Sequence, residues 1–168
     1  YEITCRDWSS DVCSSDLPWG MNIGARRITL STVGLPKQMR RLAGEELQIN
    51  LAISLHAPTD ALRRELIPMA EHVRIDELID AARDYFAKTG REVTLEYVLL
   101  AEVNDRLTHA ERLAGIARQL RCNVNLIRYN PVATLPFAAS EPEAIERFIG
   151  ALKQRGVNVQ LRDRKSVG

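Results

Sequence analysis

LAISLHAP, residues 51–58, opens as a buried strand and does not close as one. In an extended chain Leu51, Ile53 and Leu55 share one side, and Ala52, Ser54 and His56 share the other. The first side is apolar throughout, the second turns polar toward its C-terminal end, and Pro58 stops the run. A parallel strand covered on both faces reads almost wholly apolar. The direction of this polar tip therefore decides the fold.

Reading outward, the same texture recurs. Residues 26–34, RRITLSTVG, form a β-rich run ending in Ser31, Thr32 and a glycine. Residues 92–100, EVTLEYVLL, and 123–131, NVNLIRYNP, are two more strands, and VNVQL at 157–161 starts a fifth. Helical patterns alternate with them. Residues 37–46 and 62–67 suit short helices. Ile75, Leu78, Ile79, Ala82 and Phe86 make one apolar stripe over residues 75–89, with Gly90 as the stop. Thr108 with Glu111 has the spacing of a capping box for a helix over 108–120. Ser140 predicts the cap of a last helix, with Ile145, Phe148, Ile149 and Leu152 inward and Gly156 at its end.

This order, β-α-β-α-β-α-β-α-β, predicts a parallel sheet with helical crossovers. Polar residues at several strand ends favour a TIM-like α/β barrel over a sheet buried on both faces. Ser54 and His56 then sit at the barrel mouth. Ser31 lacks a G-x-S-x-G context, which points to a ligand-contacting hydroxyl rather than a nucleophile. Asn130 precedes Pro131 and is held extended. Glu96 suits a general base or an ion-pair partner of Arg128, and the pairing is the role expected. No lysine stands at a strand end to form a Schiff base, which argues against an aldolase.

The 168 residues, 45% of them hydrophobic, suit one domain. No run approaches the ~18 apolar residues of a membrane span. No signal-peptide pattern is present, and a cytoplasmic location is expected. Cys5, Cys13 and Cys122 match no metal or iron–sulfur spacing, and Cys122 is expected to be a buried small residue. Residues 1–17 are serine-rich and without apolar periodicity. DWSSDVCSSDL (7–17) and DRKSVG (163–168) both resemble translated sequencing-library adapters. The expected organisation is thus a non-native or disordered leader over 1–17, the barrel portion over 18–162 and a non-native tail over 163–168.

ARRITLSTVG, LAISLHAP, LEYVLL followed by VND, and NLIRYNP stand in an order and spacing that resemble the RlmN/Cfr family of radical S-adenosylmethionine (SAM) RNA methyltransferases. The similarity runs over about residues 20–162, the C-terminal part of the family's catalytic barrel. It implies SAM binding by Ser31 of LSTVG, by Ser54, Leu55 and His56 of SLH, and by Asn130 of YNP. Arg128 replaces the proline common at its position. The resemblance also implies methylation of carbon 2 of an adenine in 23S rRNA, and in some members of a tRNA adenine, through a methylcysteine. Carbon 8 is the target in the Cfr branch. A 4Fe-4S cluster and an electron donor are implied for the parent protein. The C-x-x-x-C-x-x-C ligands, the glycine–glutamate motif and the methylated cysteine are absent from these residues. No catalytic or metal-binding residue is therefore assigned, and the chain as it stands is not expected to be a competent enzyme. The alternative is a noncatalytic SAM- or RNA-binding remnant.

Overall fold

Consecutive strands joined by right-handed crossovers place every connecting helix on the same side of a sheet. In the computed structural model, which describes residues 25–45 and 47–162, this is what the chain does. A 3-10 turn at Ala25–Arg27 leads into five strands: β1 (Thr29–Thr32), β2 (Asn50–Ser54), β3 (Val93–Leu99), β4 (Cys122–Arg128) and β5 (Val159–Arg162). They pair in parallel in sequence order, β1-β2-β3-β4-β5. The helices are α1 (Pro36–Gly44), α2 (Asp60–Leu66), α3 (Ile75–Thr89), α4 (Leu107–Ala117) and α5 (Pro142–Gln154), with a 3-10 turn at Pro68–Ala70 after α2. The expected leader, tail, Cys5 and Cys13 lie outside the described residues.

Burial follows from this one-sided arrangement. On β3, Val93, Leu95, Tyr97 and Leu99 are buried, and Thr94, Glu96 and Val98 between them are only half-buried. Leu51, Ile53 and Leu55 of the β2 segment and Val124 and Leu126 of β4 join the same core. Helices α1 and α3 pack together over one part of the sheet, and α4 and α5 over another. The opposite face is an open concave surface carrying Ser54, Glu96 and Asn125. This is the open sheet of a partial barrel, as expected from the sequence.

Two buried tyrosines tie helix and loop to sheet. Tyr85 of α3 is fully buried and donates to Ile49 O at 2.8 Å. Tyr97 donates to Asn104 O at 2.8 Å. Leaving such a hydroxyl without a partner costs about 1–3 kcal/mol. Tyr85 therefore belongs to the α3 stripe, while Phe86, assigned to it from periodicity, is half-buried.

Local expectations fail at two helix starts. The N-cap of α4 is Arg106, so Thr108 lies inside the helix and no side-chain cap forms. Glu111, freed from a capping box, accepts from Arg155 Nη2 of the α5 C-terminus at 2.6 Å. The N-cap of α5 is Glu141, followed by Pro142 at the first helical position, where its fixed φ fits and its missing N–H is no loss. Ser140 is displaced into the preceding loop and buried. The glycine stops hold: Gly90 and Gly156 have φ of +67° and +75°.

Candidate cofactor-binding site

The C-terminal ends of β1, β2 and β3 bring together what the motifs separate by tens of residues. Ser31 of β1 registers with Ala52, and Ser54, the last residue of β2, registers with Glu96 of β3. All share the open face. Ser31 Oγ donates to Glu96 Oε2 at 3.4 Å and Ser54 Oγ donates to the same oxygen at 3.3 Å. Both contacts are long for O–H···O bonds, but they converge on one carboxylate. An anion brought within ~4 Å of that carboxylate meets a repulsion of about 1 kcal/mol in water-like surroundings and about 4 kcal/mol at an effective dielectric near 20.

The pairing of Glu96 with Arg128 expected from the sequence is not formed. Glu96 registers with Asn125, whereas Arg128 registers with Leu99, an odd number of residues further along. Alternation puts the two side chains on opposite faces of the sheet.

His56 stands just past the end of β2, with φ at +54°. This left-handed conformation is uncommon for a residue with a Cβ, and it ends the strand's alternation. Leu55 N–H and His56 N–H both donate to Glu96 O, at 3.0 and 3.2 Å. The imidazole then replaces the missing next rung of the ladder, since its Nδ1 accepts from Val98 N–H at 3.2 Å. Burial, assisted by the charge of Arg63, lowers the pKa of His56 to about 4. The ring is neutral at pH 7, and with Nδ1 acting as acceptor the proton resides on Nε2.

Leu55 is 2% exposed and its side chain lies in the core, so only its main chain is placed to meet a ligand. Asn130 is exposed, two residues past the end of β4, outside the serine–glutamate cluster. The structure thus gathers Ser31, Ser54 and His56 around neighbouring strand ends and leaves Asn130 at the margin, next to the β4 terminus.

Three further residues complete the site's frame. Glu96, expected from the sequence as a partner of Arg128, is one. Asn104, fully buried, is the second: its Nδ2 donates to His56 O at 2.9 Å and Val98 O at 2.7 Å, and its Oδ1 accepts from Leu100 N–H at 2.8 Å. It caps the ends of β2 and β3 together. Arg63 is the third, a charged residue only 1% exposed. Its Nη2 donates to Val33 O and, at 3.5 Å, to Ser54 O. Its Nε and Nη1 are buried without a hydrogen-bond partner. Burial lowers its pKa, and the carboxylate of Asp60 works against that shift. The helical spacing of Arg63 from buried Ile67, four residues on, is the sequence signal that marks it as inward-facing.

Elsewhere the chemistry is sparse. Cys122 is half-buried rather than fully buried as expected, and burial with the Glu92 charge pushes its thiol up to about 12, so it is protonated at neutral pH. Among the described residues no group of three histidine, cysteine or acidic side chains could hold a metal ion. A 4Fe-4S cluster held by thiolates needs several cysteines, and these residues do not fit one. SAM is a different case, because hydroxyls, a carboxylate and a neutral imidazole at parallel-strand ends suit a nucleoside and its amino-acid tail. A groove of about 890 Å³ opens between the first turns of α4 and α5, but it carries mixed charge and none of Ser31, Ser54, Leu55, His56 or Asn130.

A five-stranded, consecutively ordered parallel sheet with polar strand ends on its open face is a portion of an α/β barrel. The radical SAM methyltransferase of Sphaerobacter thermophilus superposes with a TM-score of 0.85 at 49% identity, over 88% of this chain and 43% of that one. A domain of the pyruvate-formate lyase-activating enzyme of Bacteroides vulgatus superposes at 0.61 with 13% identity, over 80% of each chain, which shows likeness of fold alone. Over the residues it spans, the chain belongs to the RlmN/Cfr family of radical SAM methyltransferases. The probable dual-specificity RNA methyltransferases RlmN of Thermosynechococcus vestitus and Rhodopirellula baltica are 46% and 47% identical over 142 and 146 residues, or 84% and 87% of this chain. The chain spans about two-fifths of the length of these curated relatives, 42% and 39%. No protein-family model matches it.

Proposed function

We propose that the chain is the C-terminal part, over residues 18–162, of the barrel of a radical SAM RNA methyltransferase that methylates carbon 2 of an adenine in 23S rRNA and in tRNA. The observation that carries this reading is the convergence of Ser31 and Ser54, from the two motifs LSTVG and SLHAP, on the one carboxylate of Glu96. The relatives are named dual-specificity RNA methyltransferases, which supports RNA as the substrate class.

In this reading Ser31, Ser54, the main chain of Leu55, His56 and Asn130 hold SAM along the strand ends. SAM supplies the methyl group and, with a 4Fe-4S cluster, the radical chemistry that an unactivated aromatic carbon requires. This chain contributes binding and orientation. Its serines fix one side of the ligand, and His56 Nε2–H offers a single neutral donor. In this reading the cluster ligands and the methylated cysteine belong to other parts of the parent protein. The parent draws reducing equivalents from an electron donor and acts on RNA in the cytoplasm. Among the described residues no helix is long and apolar enough to cross a membrane.

Calorimetric titration of the full-length protein with SAM tests the site. Ser54→Ala and Asn130→Ala are each expected to weaken binding several-fold, and unchanged affinity in both overturns the assignment. Mass spectrometry of reacted 23S rRNA and tRNA tests the reaction. The expected product is 2-methyladenosine in both. An 8-methyladenosine product assigns the Cfr branch instead, and SAM binding without RNA methylation assigns a binding remnant.

A further inference from the structure

We propose that Glu96 sets the hydrogen-bond polarity of the site, so that Ser31 and Ser54 act only as acceptors and receive the donor groups of SAM, its ribose hydroxyls or its ammonium, while its carboxylate is turned away. The inference rests on the reading that SAM lies over these strand ends.

A serine hydroxyl has one proton and two lone pairs. A carboxylate has only lone pairs. Both Ser31 Oγ and Ser54 Oγ are directed at Glu96 Oε2, at 3.4 and 3.3 Å, so both protons point toward the same oxygen. What each serine then presents outward is lone pairs. A ligand hydroxyl or ammonium can donate to either serine and to the carboxylate. A ligand carboxylate finds no free proton there and approaches a like charge.

The surroundings point the same way. Glu96 lines a groove of about 360 Å³ on the concave face, together with Thr94, Asn125, Gln160 and Arg162. Among the described lining residues the cation, Arg162, lies on β5, two strands beyond β3. The serine and carboxylate acceptors therefore stand on β1 to β3 and the positive charge of Arg162 on β5, with the amides of Asn125 and Gln160 between them. A zwitterionic ligand meets an oriented surface. Arg63 directs Nη2 at the main-chain carbonyls of Val33 and Ser54 and is itself buried.

Glu96→Gln keeps the size of the side chain but removes its negative charge and replaces one acceptor oxygen by an amide donor, which reverses the serine contacts in the rotamer that turns Nε2 toward them. Titrating wild-type and variant full-length protein with SAM and with 5′-methylthioadenosine, which keeps the ribose and lacks the amino acid, separates the sources. The expected result is at least a ten-fold loss of SAM affinity in Glu96→Gln. An equal loss for methylthioadenosine assigns the ribose hydroxyls, and a loss confined to SAM assigns the ammonium. Glu96→Asp, which retracts the charge without removing it, is expected to fall between wild type and Glu96→Gln. The ratio of the two ligand affinities within one preparation does not depend on the folded fraction. Undiminished SAM binding in Glu96→Gln, with Ser54→Ala still weakened, overturns the polarity assignment. Undiminished binding in both variants overturns the SAM site itself.

Discussion

The imidazole Nδ1 of His56 accepts the main-chain N–H of Val98 at 3.2 Å, so a side chain continues the β2–β3 ladder where the β2 backbone has turned away. The contact is possible only because His56 adopts a φ of +54°. It holds the ring neutral, since a protonated Nδ1 is a donor and would face another donor.

That relationship gives the stability of the protein a defined pH dependence. The folded pKa of His56, about 4, lies below its ordinary 6.5, so the unfolded chain binds the proton more readily. The contribution is fully present above pH 6.5 and is lost as pH falls from 6.5 toward 4, by up to about 3 kcal/mol. The lowered pKa of His109 acts in the same direction. In His56→Asn, a residue that tolerates positive φ, urea unfolding is expected to show a smaller loss between pH 6.5 and 4. An undiminished loss would assign the dependence to His109.

Arg63→Met removes a charge that helps lower the His56 pKa. The His56 resonance in NMR titration is therefore expected to move its midpoint upward toward 6.5 while remaining below it, because burial persists. The carbonyls of Val33 and Ser54 lose their donor, and a destabilisation of about 1–3 kcal/mol is expected.

Asn104→Ala strips three hydrogen bonds from buried main-chain groups of His56, Val98 and Leu100. A loss of about 2–4 kcal/mol in unfolding free energy is expected. Asn104→Asp keeps the acceptor for Leu100 N–H but turns oxygen toward two carbonyls. It is expected to be no better than alanine at pH 7.

Two glycines should respond with opposite sign. Gly34 has φ of +87°, and an added Cβ would run into Leu78 Cδ2. Gly34→Ala is expected to destabilise by about 1–3 kcal/mol. Gly115 lies within α4 with open space where a Cβ would stand. Gly115→Ala is expected to stabilise by roughly 0.5–1 kcal/mol. Thermal unfolding of the two variants checks both.

Much of this molecule was legible in the chain. The alternation in LAISLHAP and EVTLEYVLL follows from the two-residue period of a strand, and the α3 stripe from the helical period, so element order and parallel topology could be read directly. Ser31, Ser54 and His56 stood out because polar groups interrupted otherwise apolar strands. Misreadings arose where neighbours in space compete with neighbours in sequence. Thr108 had capping-box spacing, but Glu111 is engaged by Arg155 from another helix. Phe86 fitted the period as well as Tyr85, but Tyr85 has a hydroxyl partner on the far side of the core.

The amino-acid sequence by itself determined the strands, the helices and which face of each carries polar groups, because these depend on periodicities local to a few residues. Only the tertiary structure decided that Glu96 answers two serines rather than Arg128, that Arg63 is buried, and that His56 completes a ladder instead of facing a ligand with both nitrogens. Those outcomes depend on strand register, and register is fixed by the packing of the whole sheet against its helices rather than by any one segment.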